Sequence, residues 1–570
     1  MRVIRSIEPE VAAAIGDAPV LLVGSGVSIW SPTRLPTGVE LSQAIARATL
    51  ASRAATKGLF ADPNFGSQFR ELPFEVVMQQ CPRLESARCE LAEIFADAES
   101  NAAHKAIAIS LAEGRLSHVV TTNYDRGIEA ALPSGAAVAQ VVRAEDSTSG
   151  HVCFKIHGDA GKSGGNGMVV ALSDERALPQ WKWELLSRVV DGNTLVLVGY
   201  SGRDFEICPA LERMHPRAVW WNTLSAVGLP VGCRRVLERH HGTLVLCDMR
   251  ELLQGVLGPI DPLVREAGRA GCRDWPRLDA VALSIWGVGI LNRLGYPAVA
   301  MELALEIEPS VVGTDVEAQY WAHRADAAHQ GAQYREAARM YETAAGLVQS
   351  TDTSRYRRFL LSASDNLRCC GRVLHGYRAL KRANADADRD AAVVAVAGTK
   401  ALLFLRHGYQ LARVLPWLQR RLRRRAQTLI EQVRRDLLQS GEYFDFQQLA
   451  LWAQRFGLDL SLTAPPDLYA ALPVEEGYRQ LGYTMAEMMA FRDSVLLGKR
   501  EWSSAAEDEA LRLVALATSR GILAEAWKLH YLLARKSSAA RGKHFMAALG
   551  LFLRCQYNIP MRLWQLVAMN

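Results

Sequence analysis

The chain has 570 residues, too many for one compact core, and its 49% hydrophobic and 22% charged content is that of an ordinary soluble globular protein. The formal charge of +6 is small for this length, so it permits contact with nucleic acid without arguing for it. Ten scattered cysteines form no CxxC pair, which excludes a zinc ribbon or a thioredoxin-type motif and fits a reducing cytosol. Glu8 and Glu10 fall where a signal peptide needs an apolar stretch. No uncharged apolar run approaches the roughly 20 residues that span a bilayer. A cytoplasmic protein with no membrane partner is expected.

From the N-terminus to about residue 255, short apolar runs alternate with helix-like stretches. The runs are VLLVGSG (20–26), HVVTTN (118–123), VCFKIHG (152–158), TLVLVGYS (194–201), AVWWN (218–222) and TLVLCD (243–248). They are nearly continuous in apolar residues, as in strands buried on both faces of a parallel sheet. Amphipathic segments at 38–50, 101–113 and 203–214 lie between them. Strand and helix in alternation predict a Rossmann-like open parallel α/β sheet, whose ligands bind beyond the carboxyl ends of the strands.

Glycines and prolines at 255, 258, 259, 262, 268, 271 and 276 then break the pattern. They suggest a domain of residues 1–255, a linker of 256–276 and an all-helical domain of 277–570. Within the latter, GAQYREAARMYETAAG (331–346) places Gly331, Tyr334, Ala337, Tyr341 and Ala344 in the phase of a tetratricopeptide second helix, with YWAHRADAAHQ before it as the first. One clear copy leaves a helical bundle and a repeat array both open. The run LQRRLRRRAQTLIEQVRR (418–435) is the densest charge in the chain. It reads as a solvated helix face or as a surface for phosphate or an acidic partner.

Polar clusters follow several of the strands. Gly24 and Gly26 come directly after the first run, where backbone N–H groups can approach a diphosphate. The sixth position of a dinucleotide fingerprint is Ile29 rather than glycine, and no acidic strand end follows about 20 residues on, which disfavours hydride transfer. No Walker loop is present. Asn123 and Asp125 end the second run, His157 the third, and Ser201 with Asp204 the fourth. Taken singly these are turns, caps or core polar groups; Asp204, for one, could cap the helix that follows it.

As an ordered set, GSGVS (24–28), TTNYD (121–125), KIHGD (155–159) and GYSGRD (199–204) resemble the sirtuin-like superfamily, and most of all its bacterial branch associated with anti-phage defence, over roughly residues 15 to 250. The resemblance implies that Gly24, Ser25, Gly26 and Ser28 line the phosphates of NAD+. It places Thr122, Asn123 and Asp125 at the nicotinamide ribose, and Gly199, Ser201, Asp204 and Asn222 along the ribose and adenine side. Asn123, Asp125 and His157 would be the catalytic residues. Deacylating sirtuins carry a four-cysteine zinc module soon after the histidine motif, whereas DAGKSGGNGMVVALSDE (159–175) has no cysteine, so no metal is expected. Thr122 also replaces the glutamine that precedes the key asparagine. Members with these departures resemble NAD+-degrading enzymes, in which water is the acceptor.

That chemistry suits the residue types. The leaving nicotinamide departs as a neutral base, so the ribose cation needs more help than the leaving group does. An amide orients a hydroxyl or water without titrating, and a histidine accepts a proton near neutral pH. The implied protein is an NAD+ glycohydrolase, a hydrolase that depletes NAD+ in abortive infection. A homo-oligomer, a defence-system partner, or a phage protein or nucleic-acid trigger would act through the helical domain. The alternatives are a non-catalytic sensor of NAD+ or ADP-ribose, a lysine deacylase, and a nuclease.

Overall fold

The computed structural model describes residues 1–555 other than 8, 17, 52, 62–64, 67, 70–71, 162–166, 176–177, 205, 265–274, 385–390, 412–414, 441–448, 450–452, 454–455, 457, 459–483, 497, 499 and 538–539. Residues 265–274 of the expected linker therefore lie outside the described residues. The chain divides into two compact units. The first holds residues 1–48, 69–79 and 83–278, and the second holds 49–68, 80–82 and 279–570.

The first unit is built on one all-parallel sheet of eight strands: β1 (Arg2–Ile4), β2 (Val20–Val23), β3 (His118–Thr121), β4 (Val138–Val141), β5 (His151–Lys155), β6 (Thr194–Val198), β7 (Ala218–Thr223) and β8 (Thr243–Leu246). Their order is β1-β8-β7-β6-β2-β3-β5-β4. All six apolar runs are strands, and they occupy the six inner positions. β1 and β4 escape the reading of apolar runs because they are the two edges, and each is largely exposed or half-buried.

Successive residues of the inner strands feed opposite cores. Val20, Leu22, Val120, Phe154, Leu195 and Leu197 pack beneath the helices Gln180–Val190, Ile207–Arg213 and Val231–Arg239. Leu21, Val23, Val119, Cys153, Val196 and Val198 face Ala102–Ala112 and Met249–Leu257. Both faces are thus sealed, which is the physical reason the strands read as unbroken apolar runs.

The strand order reverses between β2 and β6, and the two loops leaving these strands lock together. Gly24 N–H donates to Val198 O and Gly26 N–H to Gly199 O, each at 3.0 Å. A Cβ on Gly24 would lie 2.5 Å from Gly199 O, and one on Gly26 would lie 2.7 Å from Gly199 Cα. Gly199 itself has φ +62°, the left-handed region. These glycines are demanded by loop-to-loop contact, whatever ligand they also meet.

The second unit is helical. Ala280–Arg293, Pro297–Val311, Glu317–Gln330, Tyr334–Val348, Thr353–Cys369, Val373–Ala383, Ala391–Leu411 and Pro416–Ser440 each pack on the next. Tyr334, Ala337, Tyr341 and Ala344 are buried, as the phase in the sequence requires. Segment 49–68 lies with these helices for identifiable reasons: the Phe65 ring meets Tyr296 edge-on with centroids 5.6 Å apart, and Ala55 N–H donates to the Glu306 carboxylate at 3.0 Å. Among the described residues no helix is long and apolar enough to cross a membrane.

Replacing Gly24 by alanine forces backbone to move at the strand reversal. Gly24→Ala is expected to lower stability by about 1–3 kcal/mol, as overpacking does. An unchanged thermal midpoint would show that the loops can part at no cost.

Candidate active site

The carboxyl ends of β2, β3 and β5 carry the polar groups. Thr121 on β3 stands opposite Val23 on β2 and Lys155 on β5. Asn123 and His157 each follow two residues beyond that Thr121–Lys155 pair, so they leave neighbouring strand tips.

Ser28, Asn123, Asp125 and His104 form one buried network. Asn123 Nδ2 donates to Ser28 Oγ at 3.0 Å, and Ser28 Oγ donates to Asp125 Oδ2 at 2.8 Å. His104 Nε2 lies 3.2 Å from the same hydroxyl. The tautomer follows from the helix cap. Asn101 Oδ1 accepts His104 N–H, and Asn101 N–H in return donates to His104 Nδ1 at 3.3 Å, a capping box with histidine in the usual glutamate position. With Nδ1 accepting, Nε2 carries the hydrogen and donates to Ser28. Burial pushes His104 below the usual imidazole range, with Asp125 opposing, so the ring is neutral. Ser28 therefore accepts twice and gives its one hydrogen to Asp125, whose other oxygen accepts Gly127 N–H at 2.9 Å.

This arrangement leaves one atom unanswered. Asn123 Oδ1 is buried and has no hydrogen-bond partner among the described residues. It is an acceptor held in place by its own amide nitrogen, and a hydroxyl donor is what it lacks.

Beneath the network sits an ammonium. Lys155, 1% exposed, is the last residue of β5. Its Nζ donates to the carbonyls of Tyr124 (3.3 Å) and Asp125, and pairs with Glu129 Oε1 at 2.9 Å and Asp159 Oδ2 at 3.9 Å. Burial alone would lower its pKa, but Glu129, Asp125 and Asp159 outweigh that and raise it. A fixed positive charge thus anchors the backbone that carries Asn123 and Asp125.

His157 has a different environment. Its Nε2 lies 3.4 Å from Glu206 Oε1, an ion-pair separation without hydrogen-bond geometry, and both groups are buried. Burial works against charge on this ring, but Glu206, with Asp204 and Glu75, outweighs it and raises the pKa above 6.5. Glu75, on the short helix Phe74–Met78, is itself pushed up to about 7, chiefly by burial. His157 is the imidazole of a carboxylate-rich corner.

The remaining candidates have separate surroundings. Asp204 accepts the N–H of Ile207, the first residue of the helix Ile207–Arg213, at 3.0 Å, and also the Tyr200 hydroxyl, while the N-cap position itself is Glu206. The Asn222 amide bridges to the end of β8 by donating to Cys247 O at 2.9 Å. Thr122 N–H donates to Val23 O at 3.0 Å, which ties β3 to β2 one residue further. Ser25 and Ser201 are exposed. A cavity of about 430 Å³ lined by Asp248, Arg250, Glu251 and Gln254 opens next to the end of β8, three strands from β2.

The structure thus joins Ser28, Asn123 and Asp125 directly, sets His157 on the next strand tip, and leaves Asn222 two strands beyond β2 on the other side. Sequence reasoning missed His104, Lys155, Glu75 and Glu206. A lysine closing an otherwise apolar strand was a visible signal for Lys155, and Asn101 three residues before His104 was one for the cap. Glu75 lies 82 residues before His157 and offered none.

An open parallel α/β sheet with polar groups clustered at the carboxyl ends, beside the strand reversal, is a Rossmann-like fold. Residues 117–215 match the family model for the SIR2-like domain. That span takes in Asn123, Asp125, His157, Gly199, Ser201 and Asp204, and leaves out Gly24–Ser28 and Asn222. No curated protein sequence matches the chain.

Removing the Lys155 charge strands two buried carboxylates. Lys155→Met is expected to destabilise the first unit by about 3–5 kcal/mol, with part of the loss recovered by adding Glu129→Gln. Equal losses in the single and double variants, measured by thermal unfolding, would remove the ion pair as the cause.

Proposed function

We propose that this protein is an NAD+ glycohydrolase, releasing nicotinamide and forming ADP-ribose with water as the acceptor. The observation that carries the reading is the buried, unanswered Asn123 Oδ1 beside His157, within a SIR2-like match. An NAD+ ribose supplies the hydroxyl hydrogens that such an acceptor lacks. We place the protein in anti-phage defence, as an effector that depletes NAD+ once a trigger is sensed through the helical unit, because unrestrained hydrolysis would kill the host.

The division of labour follows from the site. Asn123 orients a ribose hydroxyl or the water through its unanswered Oδ1 and exchanges no proton, since an amide does not titrate near neutral pH. Asp125, fixed by Ser28 and Gly127, sets its carboxyl oxygens toward the ribose, where positive charge develops as the glycosidic bond breaks. His157 accepts the proton from the ribose hydroxyl or the attacking water. It must be neutral to do so, and Glu206 favours its charged form. Activity should therefore rise with pH through an apparent pKa above 6.5 and be lost below it.

The test is nicotinamide release from NAD+ by purified protein, with the trigger supplied by phage infection if the isolated protein is silent. His157→Ala and Asn123→Ala are expected to lower the rate by roughly 10²–10⁴, the usual worth of general-base help, while the protein still folds cooperatively by thermal unfolding. Parental activity in His157→Ala would end the proposal. Glu206→Gln is expected to move the low-pH limb of the profile to lower pH; a limb that stays put would mean the titrating group is not His157.

A further inference from the structure

We infer that the helix Pro416–Ser440 is a binding site for single-stranded nucleic acid, with its arginines on the phosphates and Trp417 stacked on a base. The inference stands independently of the NAD+ reading and begins with where the charge lies. Seven arginines less Glu431 and Asp436 leave a net +5 in this one helix, out of +6 for the whole chain. The other 545 residues are nearly balanced.

The charge is also on one side. At about 100° per residue, Trp417, Arg420, Arg421, Arg424, Thr428 and Arg435 share a face, with Arg425 at its edge. All of these residues are exposed, and Trp417 is 62% so. Ala426, Ile430, Val433 and Leu437 point the opposite way and are buried with Leu402 of the preceding helix. The helix is therefore anchored by its apolar side and presents a basic strip from Trp417 to Arg425, about 12 Å long at 1.5 Å per residue, with exposed Glu431 and Arg435 further along the same face.

Three features separate this strip from a solvated helix face. First, no carboxylate among the described residues pairs with Arg420, Arg421, Arg424 or Arg425. Arg420 donates only to the carbonyl of Pro416, at 3.4 Å. Second, the arrangement works against the helix. Arg420 with Arg424, and Arg421 with Arg425, are like charges at i,i+4, where a stabilising surface would alternate signs. The crowded arginines also fall in the first half of the helix, away from the carboxyl-terminal turn where cations gain from the dipole. Folding does not account for Arg420, Arg421, Arg424 and Arg425 side by side, so a polyanion is the better account.

Third, a large indole lies exposed on the same face. A phosphate-binding strip combined with an accessible aromatic ring is the arrangement that holds single strands, whose bases are free to stack. A duplex keeps its bases in the helix and would leave Trp417 without a role. An acidic protein segment would match the charge, and its carboxylates can also pair two-pronged with guanidinium, but it offers no base to stack on Trp417.

The experiment uses the full chain and fluorescently labelled 20-nucleotide single strands of DNA and RNA, with a matching duplex, titrated between 50 and 200 mM NaCl. Single-strand binding is expected, with a slope of log K against log salt near −3 for four phosphate contacts at about −0.7 each. The variant R420Q/R421Q/R424Q/R425Q should lose at least about tenfold in affinity at 150 mM salt and flatten the slope, while its thermal midpoint stays the same or rises. Trp417→Ala should weaken single-strand binding about fivefold or more and leave any duplex binding unchanged. No binding at 50 mM salt, parental affinity in the quadruple variant, or equal competition by polyglutamate would each overturn the inference. Tighter binding to duplex than to single strand would overturn the assignment to single strands.

Discussion

Covering a parallel sheet on both faces removes every place for a polar side chain along its inner strands. β2 and β6 show the constraint directly: each is fully buried, with neighbouring residues pointing into opposite cores. Polar groups can then appear only where strands end, and the right-handed crossovers of such a sheet put its functional loops together at the carboxyl ends. Ser28, Asn123, Asp125 and His157 are all on such loops. Their convergence is a consequence of sealing the sheet as much as of chemistry.

Bringing polar groups to one edge does not orient them. Orientation here comes from the buried groups behind them, which would be costly in isolation. A lysine is buried at the end of β5 and stays charged because three carboxylates surround it. Its hydrogens go to the Tyr124 and Asp125 carbonyls, which fixes the backbone between Asn123 and the helix beyond. A neutral histidine, locked in one tautomer by a helix cap, supplies the hydrogen that turns the Ser28 hydroxyl toward Asp125. The result is an asparagine with its nitrogen engaged and its oxygen free, a preorganised acceptor in a low-dielectric setting.

His157 stands apart in kind. The Asn123 network is neutral hydrogen bonding around one carboxylate, whereas His157 sits among Glu75, Asp204 and Glu206. One strand spacing separates the two, so a single edge of the sheet holds both a group that does not titrate and one poised to do so.

By itself the sequence determined the architecture and most of the strand-tip residues. Inner strands buried on both faces must be unbroken apolar runs, so six of the eight announced themselves, and the polar residues that end them were readable as tips. The edge strands β1 and β4 were hidden because half-exposed strands need no such run. Tertiary structure alone decided which polar groups touch. Ser28, His104 and Asp125 are separated by up to 97 residues, and Glu75 reaches the His157 corner from 82 residues upstream. Contacts of that range depend on strand order and loop path, and neither leaves a local pattern in the chain. For the same reason Asp204 and Asn222, alike in the sequence as polar residues at strand ends, were set to different work: one accepts the first N–H of a helix, and the other bridges two strand ends.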